Sequence, residues 1–390
     1  MVLFTEEAIT YLIVFLIPIA FLPILACFTS FRRYGAYSFL ATLLKGKEAK
    51  CITEQHIRDA LRKKSLEEAL ESFAETELGT YISERSATIK TYDDIETLVF
   101  EYLSKDYSSI KIYLPKDSLI LYNVYIEKYD LFNIKQIIRR LVSKSLHKVN
   151  FVPLGKIFES GLLSKLKEST SIDDVVSIIR QAGLYDYSMI IEEAQPKLSS
   201  EREAYRARVL LEKRLDEKYL SKLVNTSLKL KGKEQMLPAI GSLIDLNLIN
   251  IVVRSIVAKS QREVADIIPE VYYILTKEGI RSLLDSKSLE EFSEKLEQTS
   301  YSDIGKRIVD IYRATGDVLL IEKEILDYAL SKIKENVSTA LHTPAVLLHY
   351  FLTKEKEVKL TLLFFRLFFQ KIPYEKYLPY LKIGGSRVER

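Results

Sequence analysis

Turn-forming residues are scarce in this chain: 13 glycines and 10 prolines among 390 residues, about half the usual combined share of roughly 12%. Hairpins and phosphate-binding loops need residues that accept positive φ or hold φ fixed. The scarcity therefore argues against sandwiches, barrels and doubly wound sheets, and favours helices joined by short polar turns. Two cysteines, Cys27 and Cys51, cannot build a disulfide framework or a tetrahedral thiolate site. Four histidines, His56, His147, His342 and His349, are spread too thinly for a metal centre, and no carboxylate stands at ligand spacing from the last two. Lys45-Gly46-Lys47-Glu48 and Lys231-Gly232-Lys233-Glu234 share only Gly-Lys with a phosphate loop, because glutamate replaces the Ser/Thr that a nucleotide cradle requires. No Gly-x-Ser-x-Gly elbow occurs. The net charge of +4, from 57 basic and 53 acidic residues, is too weak a bias for a nucleic-acid partner. These absences point away from catalysis, cofactors, metals and small-molecule substrates, and toward assembly.

What is present begins with a hydrophobic run. Ala8 to Phe31 carries no charge over 24 residues and is flanked by Glu6 and Glu7 before it and by Arg32 and Arg33 after it. As a helix it would be about 36 Å long, enough for a bilayer core of about 30 Å. The basic pair follows the run, so the positive-inside rule puts the N-terminus outside and the remainder of the chain on the cytoplasmic face. Pro18 and Pro23 are tolerable within a membrane helix. A cleaved signal, a lipoprotein-type cleavage before Cys27 and a buried core helix are competing readings; the acidic start counts against the first two, and the length against the third.

Beyond Arg33 one pattern occurs three times. Ser65-Leu-Glu-Glu-Ala-Leu70, Ser171-Ile-Asp-Asp-Val-Val176 and Ser288-Leu-Glu-Glu-Phe292 each place a serine before two carboxylates and apolar residues at helical spacing. That is a helix start: a serine N-cap, then acids where the helix dipole favours them. The starts lie 106 and 117 residues apart, which suggests a triplicated unit. A second element recurs late in each unit. Asp130-Leu-Phe-Asn133-Ile134 and Asn247-Leu-Ile-Asn250-Ile251 read as openings of amphipathic helices, with apolar stripes at 134, 137, 138, 141 and 142 and at 249, 252, 253, 256 and 257. Lys354-Glu-Lys-Glu357-Val358-Lys359-Leu360 occupies the equivalent place in the third unit, before an apolar helix from Leu362 to Phe369. The run Ile110 to Tyr122 has some strand character, but Pro115 and its isolation count against a sheet. The 24 tyrosines suit the seams between helices. The expected architecture is all-α: an N-terminal membrane segment (1–33) and three helical units (34–147, 148–264 and 265–390).

The triplicated serine-plus-carboxylates start, the Asp130 and Asn247 elements, Leu211-Glu-Lys-Arg-Leu215-Asp216-Glu-Lys-Tyr219 and the Lys354–Val358 segment together resemble the C subunit of archaeal A-type rotary ATPases, equivalent to the d subunit of vacuolar ATPases. The resemblance covers roughly Tyr34 to Ile383. It departs at Lys359, where the family usually has asparagine, and at the hydrophobic N-terminus, which the usual cytoplasmic protein lacks. It implies a noncatalytic central-stalk part, a funnel of three pseudo-symmetric units seated on the membrane rotor ring and gripping the central axle, which couples ATP chemistry to proton or sodium transport. A single-span membrane-anchored scaffold of another complex shares the anchor, the helices and the lack of catalytic motifs.

Overall fold

The computed structural model describes residues 31–143, 150–200, 203–338 and 341–381. Glu6, Glu7 and the hydrophobic run up to Ser30 therefore lie outside the described residues, as do Cys27, His147 and the expected joint at Lys148. Every regular element among the described residues is helical, in agreement with the all-α expectation.

The first helix, α1, covers 31–48. There follow α2 (Glu54–Leu61), α3 (Leu66–Glu71), α4 (Glu77–Ser83), α5 (Tyr92–Lys111), α6 (Lys116–Tyr125) and α7 (Glu127–Ser143). The middle of the chain forms α8 (Lys156–Glu159), α9 (Leu163–Glu168), α10 (Ile172–Gln181), α11 (Tyr185–Leu198), α12 (Ala204–Lys229) and α13 (Lys233–Ala258). The last part forms α14 (Gln261–Ala265), α15 (Lys277–Leu284), α16 (Leu289–Leu296), α17 (Ser302–Thr315), α18 (Val318–Ser338) and α19 (Ala345–Phe369).

The three serine signals are N-caps. The Ser65, Ser171 and Ser288 hydroxyls accept the backbone N–H of Glu68, Asp174 and Glu291, and the serines precede α3, α10 and α16. Each satisfies a donor that the first helical turn leaves unpaired. Most of each apolar stripe is buried, Ile134, Ile137 and Ile138 in α7 and Ile249, Val252, Val253 and Ile256 in α13, while Leu141, Val142 and Val257 at the ends of the stripes are half-buried.

Three expectations need correction. Asn247 lies in the middle of α13, and Lys354 in the middle of α19. Asp130 follows the start of α7 by three residues. None of the three opens a helix, because the apolar residues before them continue the 3.6-residue period. The Ile110–Tyr122 segment is the end of α5, a short turn and most of α6, with Pro115 as the N-cap of α6, a position beside the helix start where its missing N–H costs nothing.

The long helices form the inner layer. Consecutive packing runs α5–α19–α18–α13–α12–α7, and the Tyr125 ring of α6 stacks on Phe351 of α19 with centroids 4.4 Å apart. Short helices such as α3, α10 and α16 flank this layer, joined to it through α4, α11 and α17, and α10 and α16 also touch α7 and α13 directly. α13 is long and apolar enough to cross a membrane by length and composition, yet 61% of its most apolar window is buried because it packs between α12 and α18.

Candidate functional site

The long helices enclose a cleft. One cavity of about 330 Å³ is bounded by α5, α7, α18 and α19, and includes Phe100, Tyr129, Leu319 and Leu363 in its wall. A second, of about 270 Å³, lies between α6, α7, α12, α13, α18 and α19. Lys128, Glu322, Glu355 and Lys359 border both. A third space of about 620 Å³, nearer Arg254 and Arg366, also meets Glu322.

The charges of the cleft are set in pairs that cross between helices. Lys128 of α7 pairs with Glu355 of α19, whose carboxylate also accepts the Tyr125 hydroxyl. Lys359 donates to Glu322 of α18 at 2.9 Å, and Arg254 of α13 reaches the other oxygen of the same carboxylate. Burial pulls the Lys128 and Lys359 ammonium groups below the ordinary lysine value, against the attraction of Glu355.

Around the cleft, buried carboxylates fasten segments that lie far apart in sequence. Asp130 of α7 accepts the backbone N–H groups of Lys156 and Ile157 at 2.8 and 2.9 Å. Three residues on, Asn133 exchanges two hydrogen bonds with the Val152 backbone, each 2.8 Å. Gly155 adopts φ +99°, and a Cβ there would lie 2.4 Å from the Asp130 carboxylate, so only glycine serves both conformation and contact. Asp245 of α13 accepts from the backbone of Tyr273, Ile274 and Leu275 and from the Tyr301 hydroxyl, all within 3.0 Å. Glu357 of α19 accepts the Ile52 N–H at 2.8 Å and the Lys354 ammonium at 2.8 Å. α7, α13 and α19, from the early, middle and late chain, each thus supply a buried carboxylate that accepts backbone N–H from a distant segment, and the last returns to the beginning of the body.

That returning contact is the most highly charged. Lys354, with no exposed surface, donates to Tyr102 and Glu357, while Asp106 accepts from Lys47 and Tyr350. Burial alone would lower the Lys354 pKa, but Glu357 and Asp106 outweigh it and hold the ammonium above its ordinary value. Beside it Lys323 and Lys356 both bridge Glu54 and Asp327 over 2.6–3.1 Å.

This arrangement of cleft and fastenings spans the region that matches a known family model, residues 40–366, described as the ATP synthase (C/AC39) subunit. The chain belongs to the ATP synthase (C/AC39) subunit family. Among similar C/AC39 sequences, the C subunit of the A-type ATP synthase of Methanocaldococcus jannaschii is 25% identical over 329 residues, covering 83% of this chain and 80% of that protein. The corresponding A-type ATP synthase protein of Pyrococcus horikoshii is 25% identical over 332 residues, 84% and 85% of the two chains. That of Pyrococcus furiosus is 22% identical over 339 residues, with coverage of 84% and 85%.

Of the residues prominent in the sequence, Arg33 pairs with Asp117 at 3.4 Å and lies over the Tyr37 ring, whereas Arg32 is exposed. His349 pairs with Glu48 at 2.9 Å, His342 meets the Tyr34 ring edge-on, and His56 accepts the Thr53 N–H as part of a capping box. Cys51 is buried, which pushes its thiol pKa up. The cleft charges Lys128, Glu322 and Glu355 were not foreseen. Their signal was charge inside otherwise apolar helices, as in Val318-Leu-Leu-Ile-Glu322-Lys-Glu324-Ile.

Proposed function

We propose that this chain is a noncatalytic central-stalk subunit of a rotary A/V-type ATPase, coupling the central axle to the membrane rotor ring during ATP-linked proton or sodium transport. Family membership supplies the complex, and the observation that carries the role is the cleft. It is bordered by long helices from the early, middle and late parts of the chain, as a socket for an axle requires. In this reading, units 34–147, 148–264 and 265–390 are pseudo-symmetric repeats arranged as a funnel. Asp130, Asp245 and Glu357 are their equivalent fastenings, and the last closes the ring of units.

The run Ala8–Phe31 is read as a single-pass anchor that descends into the lumen of the rotor ring. Glu6 and Glu7 remain outside, Arg32 and Arg33 stay on the cytoplasmic side, and the body faces the catalytic head. The partners are then the axle subunits, the proteolipid ring and the membrane.

Coupling is tested in inverted membrane vesicles carrying Lys128→Gln together with Lys359→Gln. ATP hydrolysis should persist while ATP-driven ion uptake falls. Uptake and hydrolysis both at wild-type level would overturn the socket reading.

A further inference from the structure

The space beside Arg254 and Arg366 lies at the end of the body remote from the start of α1. Both helices that carry these arginines set out near that start: the Tyr34 ring meets His342 with centroids 4.5 Å apart, and a Cβ on Gly232 would lie 2.5 Å from Thr343. Arg254 and Arg366 stand 21 residues after Lys233 and Ala345, the first residues of α13 and α19, about 31 Å along the two axes. There they line, with Lys376, the space of about 620 Å³. Its cations outnumber the carboxylates that could pair them. Arg254 and Lys359 share Glu322, one on each oxygen. Asp317 has its two oxygens engaged by the Leu319 N–H and the Tyr377 hydroxyl, each at 2.8 Å. The Arg366 guanidinium approaches Asp317 only to 3.7 Å, beyond a hydrogen bond. Lys376 donates to the Thr315 carbonyl at 2.9 Å rather than to an acid. Four cations thus face two carboxylates whose oxygens are already engaged, and Arg254 uses one of its five N–H donors. Burial holds Arg254 and Lys359 below their ordinary values, a cost that a bound anion would relieve.

We propose that this basic mouth receives an acidic segment of the axle, whose carboxylates take the free guanidinium donors of Arg254 and Arg366. This rests on the socket and anchor readings above and adds to them the chemistry of the partner. Three observations select that occupant. With the anchor joined at the start of α1 and held in the ring lumen, the mouth faces the side of the head and axle. A basic or neutral segment would leave the surplus charge unpaired, whereas carboxylates match guanidinium forks two bonds at a time. The space is roughly twenty times a water molecule's share of liquid volume, and Val257, Val318 and Ile372 share its lining, which fits the side chains of a protein segment rather than a single small anion.

The test immobilises the full chain in mild detergent and binds to it the purified axle subunits of the same ATPase over a series of NaCl concentrations. Wild type is compared with Arg254→Gln plus Arg366→Gln, and with Arg254→Lys plus Arg366→Lys. Neither glutamine orphans an acid, because Lys359 stays on Glu322 while Leu319 and Tyr377 stay on Asp317; urea melts of each variant check the fold. At low salt the glutamine variant should bind the axle about tenfold or more weakly, with a flatter salt dependence than wild type, and the lysine variant should lie between the two. Equal affinity of wild type and glutamine variant at every salt concentration would overturn the acidic segment and leave the socket standing. Tighter binding by the glutamine variant would also overturn it, since the partner would then be basic. No binding of the axle to the wild-type chain would overturn the socket, and this proposal with it.

Discussion

Single buried carboxylates hold segments together that the chain itself keeps far apart, and their protonation is the most direct handle on them. Burial pushes the Asp130 carboxyl up to about 7, against the two backbone N–H bonds that pull it down. An unfolded aspartate titrates near pH 4, so between about 4 and 7 the native state binds more protons than the unfolded state. The stability that Asp130 contributes is complete below the lower value and declines as pH rises through the upper one. Urea melts of the full chain in detergent should show that decline, and Asp130→Asn, which cannot ionise, should flatten it. An unchanged slope in Asp130→Asn would count against the assignment. Gly241 is a second residue-scale test. A Cβ there would lie 2.2 Å from the Tyr273 ring, in the segment fastened by Asp245, so Gly241→Ala should destabilise by about 1–3 kcal/mol through overpacking despite alanine's better helix propensity.

Helices divide sharply into what local sequence dictates and what it does not. The caps at Ser65, Ser171 and Ser288 were legible because capping is settled within four residues of chain. Replacing each serine by alanine should cost about 1 kcal/mol, adding independently across the three; midpoints of urea melts for single and triple variants would check this. The stripes of α7 and α13 were legible too, since burial on one face writes itself as a period. The beginnings of the long helices were not. Asp130, Asn247 and Lys354 look like boundaries because polar residues interrupt apolar runs, but in α7 and α19 polar side chains turn inward to partners supplied by distant sequence, as Glu357 does to Ile52. In α13 the residue that fastens a distant segment, as Asp130 does in α7, is Asp245, not the exposed Asn247. Lys354 provides a test of the inward charges. Lys354→Met leaves Glu357 and Asp106 without the cation between them and should destabilise by about 3–5 kcal/mol; a change below about 1 kcal/mol would mean the cluster adds little to the fold.

At the scale of the whole molecule, the shortage of glycine and proline takes on a narrower meaning. Two of the 13 glycines sit where fastenings need them, Gly155 against Asp130 and Gly241 against Tyr273, and the long helices run with few interruptions. A body built this way bends little, which suits a part that carries torque. The family was legible from the order of weak motifs, whereas the cleft required the packing of α5, α7, α12, α13, α18 and α19, which no local signal encodes. The central claim, that this body joins a rotary ATPase between axle and ring, is tested most directly by purifying the full chain from its own membranes in mild detergent. The account predicts that the ATPase head, axle and ring subunits accompany it in fixed proportion. Recovery of the chain without them, or with an unrelated membrane complex, would contradict it.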